Sequence, residues 1–138
     1  MTAMRRYEEL EHTADLKIRI HGQDREELFR NASWALAELL VEVGEPVPGS
    51  ERTLNLPGAA DYSLLLVDFM SELLYLWEAE GLVFIATGQL EVSLQGVSAT
   101  LEAFEPKAYR QAIKAVTYHG LEIEDTEGGF QAKIIFDI

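Results

Sequence analysis

YSLLLVDFMSELLYLWEAE, Tyr62 to Glu80, is the stretch on which the fold turns. Asp61 just before it can accept hydrogen bonds from the first-turn N–H groups, and Gly81 just after it can take the left-handed turn that ends a helix. Between these caps stand Leu64, Leu65, Leu66, Val67, Phe69, Met70, Leu73, Leu74, Leu76 and Trp77. Apolar side chains therefore cover most of the circumference, and a helix apolar on nearly all sides is buried on nearly all sides. The rest of the chain is expected to wrap this helix. Asp68 and Glu72, one turn apart, read as its narrow wet stripe rather than as paired catalytic acids.

Working outward toward the N-terminus, Leu16-Lys17-Ile18-Arg19-Ile20-His21 alternates strictly and predicts a strand with one wet face. Gly22-Gln23 turns the chain, and Asp24 with Glu27 forms a capping box. The apolar positions Leu28, Ala32, Ala35, Leu36, Leu39 and Val43 then predict a helix over Arg25–Val43, stopped by Gly44, Pro46 and Pro48. Glu51–Leu56 alternates again and reads as a strand ended by Pro57-Gly58.

Working outward toward the C-terminus, strands are expected at Leu82–Ile85, Gln89–Gln95 and Val97–Ala103, the last two as a hairpin about Gln95-Gly96. Pro106–Arg110 fits one helical turn, while Ala112–Asp125 is mixed and tilts to strand. Gly128-Gly129 turns into a final strand, Phe130–Ile138. The expected fold class is α+β: two long helices packed on a largely antiparallel sheet of about six to seven strands.

At 138 residues the chain suits one domain, 1–138, with its own core. The absence of cysteine excludes disulfides, thiolate metal sites and cysteine nucleophiles. Met4-Arg5-Arg6-Tyr7 leads into acids rather than an apolar signal core, and no apolar run approaches the roughly 20 residues of a membrane span. A soluble cytoplasmic protein is expected, with no membrane partner. Twenty-four acids against 11 bases leave a net charge of −13, which repels phosphate backbones and argues against direct, tight nucleic-acid binding. Such a surface suits cations and basic partner surfaces.

Two polar clusters stand out. Glu11-His12-Thr13-Ala14-Asp15 precedes the first alternating strand; a turn held by side-chain oxygens explains it most simply. His12 and Asp15 can alternatively offer an imidazole and a carboxylate to one ion, but two ligands are few. The second cluster is the chain end. In the final strand Ala132, Ile134, Phe136 and Ile138 share one side, and Lys133, Ile135 and Asp137 the other. Asp137 and the α-carboxylate of Ile138 place negative oxygens one residue apart, a repulsion that a cation would relieve. With Asp15 they would form an all-oxygen pocket suited to Ca²⁺, Mg²⁺ or Mn²⁺. An ordinary solvated terminus, with Asp137 paired to a lysine, explains the spacing alone more simply. Lys114 reads as a solvated strand residue or a phosphate contact, and His119 as a turn residue. Ser50, Ser63 and Ser71 lack a G-x-S-x-G context, so a serine nucleophile has no support.

Taken together, Glu11-His12-Thr13-Ala14-Asp15, Leu64–Tyr75, Lys114-Ala115-Val116-Thr117-Tyr118-His119 and Phe136-Asp137-Ile138 closely resemble the archease family. The resemblance runs from about Tyr7 to Ile138. It implies a small metal-binding accessory protein, not an enzyme, that activates the RtcB-type tRNA-splicing RNA ligase. Members promote loading of GMP onto the ligase, support multiple turnover and broaden nucleotide use. Carried over by motif, the metal ligands fall on Asp15, Asp137 and the terminal carboxylate of Ile138; Lys114 matches a functional position, and His12 belongs to the motif. Calcium is the cation expected in a crystal, with magnesium or manganese as alternatives. Two competing expectations are a general chaperone for nucleic-acid-modifying proteins with a structural metal, and a metal-dependent hydrolase using Asp15, Asp137 and Lys114.

Overall fold

An α-helix spans Tyr62–Glu80, with the bounds its caps predict. Asp61 accepts a hydrogen bond from the Leu64 N–H at 2.8 Å, and Gly81 closes the helix with φ of 72°. The computed structural model describes residues 6–10, 15–118 and 121–138. In chain order the elements are β1 (Tyr7–Leu10), β2 (Leu16–Gly22), α1 (Arg25–Leu40), β3 (Val41–Pro46), β4 (Arg52–Pro57), α2 (Tyr62–Glu80), β5 (Val83–Ile85), β6 (Leu90–Ser93), β7 (Gly96–Tyr109), β8 (Ala115–Val116), β9 (Glu122–Thr126) and β10 (Gly129–Asp137).

The α+β class, the two helices and the antiparallel pairing hold, and the strands are divided between two sheets. Among the described residues ten strands form two five-stranded antiparallel sheets. The first has the order β1-β2-β10-β8, with β9 also on β10. The second is built on β7, a 14-residue spine: β4 pairs along its first half and β3 along its second, while β6 and β5 pair with it as well.

Two local expectations change for the same reason. Helix α1 ends at Leu40 rather than Val43, because Val41 turns extended and starts β3. Pro106 to Tyr109 is not a helical turn but the far half of β7, paired to β3. Gly44 then serves the ladder instead of capping a helix: a Cβ there would lie 2.6 Å from the Glu105 carbonyl oxygen. The register shifts across Val43, and Pro106, which has no N–H to give, pairs with Val43 at that irregularity.

Both helices and both sheets contribute to one core, with Phe29, Phe69, Phe136, Ile18 and Ile20 among its largest fully buried side chains. Phe29 and Phe69 join the two helices at a ring separation of 5.5 Å. Ser33 is the buried polar side chain of α1, and it is satisfied in both senses. Its hydroxyl donates to the Arg30 carbonyl and accepts from the Ala86 N–H, which pins β5's exit to the helix. The Arg25 guanidinium lies over the rings of Tyr62 and Phe130, tying the starts of both helices to β10.

Candidate functional site

Strands β2 and β10 are neighbours in the first sheet, with Leu16 opposite Phe136, Ile18 opposite Ile134 and Ile20 opposite Ala132. These six are buried. The pleat therefore turns Lys17, Arg19, Lys133, Ile135 and Asp137 to the outer face, as the alternation predicts. Leu16–Phe136 is the last pair of this ladder, and Asp15 and Asp137 are the residues that follow it on the two chain segments.

The other flank of Asp137 is β8. Ala115 stands opposite Asp137, and the Lys114 N–H donates to the Asp137 carbonyl at 2.7 Å. The Lys114 side chain is exposed. Ile138, one residue past the end of β10, is half-buried and packs against the core.

Electrostatically the position is open. Asp15 is half-buried and Asp137 exposed, and among the described residues neither makes an ion pair. The pairing of Asp137 with a lysine is not formed. Equally, no group of three or more His, Asp or Glu side chains placed to hold a metal occurs among the described residues. Two side-chain carboxylates, Asp15 and Asp137, follow the last β2–β10 pair. By donor chemistry these are hard oxygen ligands and fit Ca²⁺, Mg²⁺ or Mn²⁺. His12 and His119 lie outside the described residues.

The segment after β8 is tied down at two points that the sequence does not announce. Thr117 bonds the Ile135 carbonyl through its N–H at 3.0 Å and its hydroxyl at 3.1 Å. Tyr118 donates its phenol proton to Asp68 of α2 at 2.8 Å. Asp68 is thus more than a wet spot on an apolar helix; the only advance signal was a carboxylate interrupting the run. The hydrogen bond to Asp68 is the main cause that raises the Tyr118 pKa above 10.0, helped by desolvation and the Asp68 charge. A raised phenol pKa means the bond is fully present below pH 10 and is lost as pH climbs through the folded-state value. Tyr118→Phe is therefore expected to remove a late-ionising phenol from the ultraviolet titration above pH 10, while that of Tyr7, raised chiefly by burial, remains. Superimposable high-pH limbs in the two proteins would show that the bond does not form in solution.

The Archease protein family (MTH1598/TM1083) model matches residues 7–138, which includes every element just described. The chain belongs to the archease family. The protein archease of Methanosarcina mazei is 38% identical over 143 residues, covering 97% of both chains. That of Pyrococcus furiosus is 34% identical over 146 residues, covering 98% of this chain and all of its own. The solution structure of Methanobacterium thermoautotrophicum protein 1598 aligns with a TM-score of 0.71 at 28% identity, over 98% of this chain and 100% of that one. The crystal structure of a Thermotoga maritima archease, described as a possible chaperone, aligns at a TM-score of 0.67 over both whole chains. At 24% identity that last likeness speaks for the archease fold alone. Among the described residues of this archease, no helix is long and apolar enough to cross a membrane.

Proposed function

We propose that this archease is a non-catalytic activator of an RtcB-type tRNA-splicing RNA ligase in the cytoplasm. In this reading it promotes loading of GMP onto the ligase, sustains multiple turnover and broadens nucleotide use. Asp15, Asp137 and the α-carboxylate of Ile138 hold a divalent cation, and Lys114 and His12 are further functional residues. The observation that supports the reading most directly is the β2–β10 register, whose last pair, Leu16–Phe136, is followed by Asp15 on one segment and Asp137 on the other. A bound cation supplies positive charge that offsets repulsion between carboxylates and nucleotide phosphates. The chain's part is to present oxygen donors on a rigid strand end. With a net charge of −13, it leaves contact with RNA to the ligase.

The test is guanylylation of the cognate ligase by GTP, followed with and without the protein. Stimulation is expected, and it should be lost when one residue is added after Ile138, because the terminal carboxylate then moves off the site. No stimulation by the unaltered protein overturns the activator role. Full stimulation by the extended protein overturns the terminal ligand. Equal help to unrelated clients would instead favour a general chaperone whose metal is structural.

A further inference from the structure

We propose that the outer stripe of α2, formed by Asp68, Glu72 and Tyr75 with Tyr118 alongside, is the surface that docks a basic patch of a protein partner. The inference rests on the activator reading and adds to it the place and chemistry of contact. Asp68, Glu72 and Tyr75 recur at helical spacing and so share one face. Tyr75 is 60% exposed and Tyr118 57%, and the Tyr118 hydroxyl is held by Asp68. The bond to Asp68 satisfies the Tyr118 hydroxyl but leaves its ring, like that of Tyr75, in water beside a carboxylate pair. Tyrosine is also the side chain that anchors protein interfaces, because its ring supplies area at little entropic cost and its hydroxyl stays satisfied.

The charge pattern selects the partner's chemistry. Over its 19 residues α2 carries Asp68, Glu72, Glu78 and Glu80 and no Lys, Arg or His. Glu80 is engaged by Arg52, while no ion pair involving Asp68, Glu72 or Glu78 occurs among the described residues. A purely structural wet stripe gains nothing from charge of a single sign. An RNA or an anionic membrane is repelled by it; an arginine- and lysine-rich protein surface is attracted. The stripe also leads toward the candidate cation site. Ala115 faces Asp137 across the ladder, and Tyr118 follows three residues later, roughly 10 Å along an extended chain. A partner seated on the tyrosines would therefore overhang the Asp15–Asp137 end.

The experiment measures binding of the full chain to the cognate ligase at low and high salt. Wild type should bind and weaken as salt rises. Tyr75→Ala is expected to lose about tenfold or more in affinity, as an interface anchor does. The change Glu72→Lys should weaken binding and flatten its salt dependence. Both variants should keep the wild-type rise in melting temperature on adding divalent cation. Variant affinities equal to wild type overturn the docking surface and leave the activator reading standing. Loss of the cation response together with binding overturns it too, since the stripe would then be structural. Failure of the wild type to bind the ligase overturns the activator reading itself, and this inference with it.

Discussion

Phe69→Ala is expected to cost about 3–5 kcal/mol of stability, the range for deleting a fully buried aromatic ring. Phe69 is 0% exposed and sits in the middle of α2, and its ring meets that of Phe29, also 0% exposed. The transfer free energy of the ring is only part of the loss. The remainder is the cavity, which depends on how far the neighbours can collapse. Here they are constrained: α2 is capped at Asp61 and Gly81, and Arg25 ties its first residue, Tyr62, to α1 and to Phe130 on β10. Neither helix can slide into the gap without breaking those ties. For a domain of this size the loss corresponds to a fall in melting temperature on the order of 10–20 °C. Urea unfolding of the two proteins, with matched slopes, checks the figure. A loss below about 1 kcal/mol would mean that the helices are not held together at this ring pair.

That helix was legible because its evidence is local. Caps at Asp61 and Gly81 and ten apolar positions between them lie within one stretch of chain. The alternation of β2 and β10 was legible too, since one face of each strand is fully buried. The second sheet was not. Its spine β7 reads as a strand only to Ala103; beyond that Pro106 stands between the charged, exposed Glu105 and Lys107 and masks the strand. The β3–β7 ribbon reaches the core through Val41, Val43 and Phe104, but pairing between distant segments leaves no local signature. Helix α1 was overrun for a related reason: Val43 keeps helical spacing with Leu36 and Leu39, yet Val41 and Val43 are β-branched and alternate with Glu42. The candidate site divides the same way. That Asp137 leaves the core face followed from the strand pattern, but its pairing with Ala115 did not. The suggestion that Asp15 joins it rested on no register, because register is a property of two strands and the sequence shows one at a time. The Tyr118–Asp68 bond, between side chains fifty positions apart, is of the same non-local kind.

Asp137→Asn should separate the two states of the candidate cation site with opposite effects. Without divalent ions, Asp15 and Asp137, the residues next to the last β2–β10 pair, carry like charges, which destabilise wherever they face each other across strands. Neutralising one should leave stability unchanged or raised by a few tenths of a kcal/mol. With divalent ions present, the wild type gains the binding free energy and the variant does not. At a cation concentration about 100 times the dissociation constant that gain is about 2.7 kcal/mol, a melting shift on the order of 5–10 °C. Screening must be told apart from binding, since any acidic protein with a net charge of −13 is eased by salt. Asp125→Asn supplies the control: Asp125 is exposed on β9 opposite Phe130, toward the other end of β10. It removes the same charge while leaving the sheet end intact, so its melting shift with calcium or manganese should match wild type at equal ionic strength. If both variants keep the full shift, the ions act on the surface as a whole and Asp15 and Asp137 bind nothing. If Asp137→Asn alone abolishes it, the carboxylates next to the last β2–β10 pair are the ligands, and Asp15→Asn should abolish the shift to the same extent.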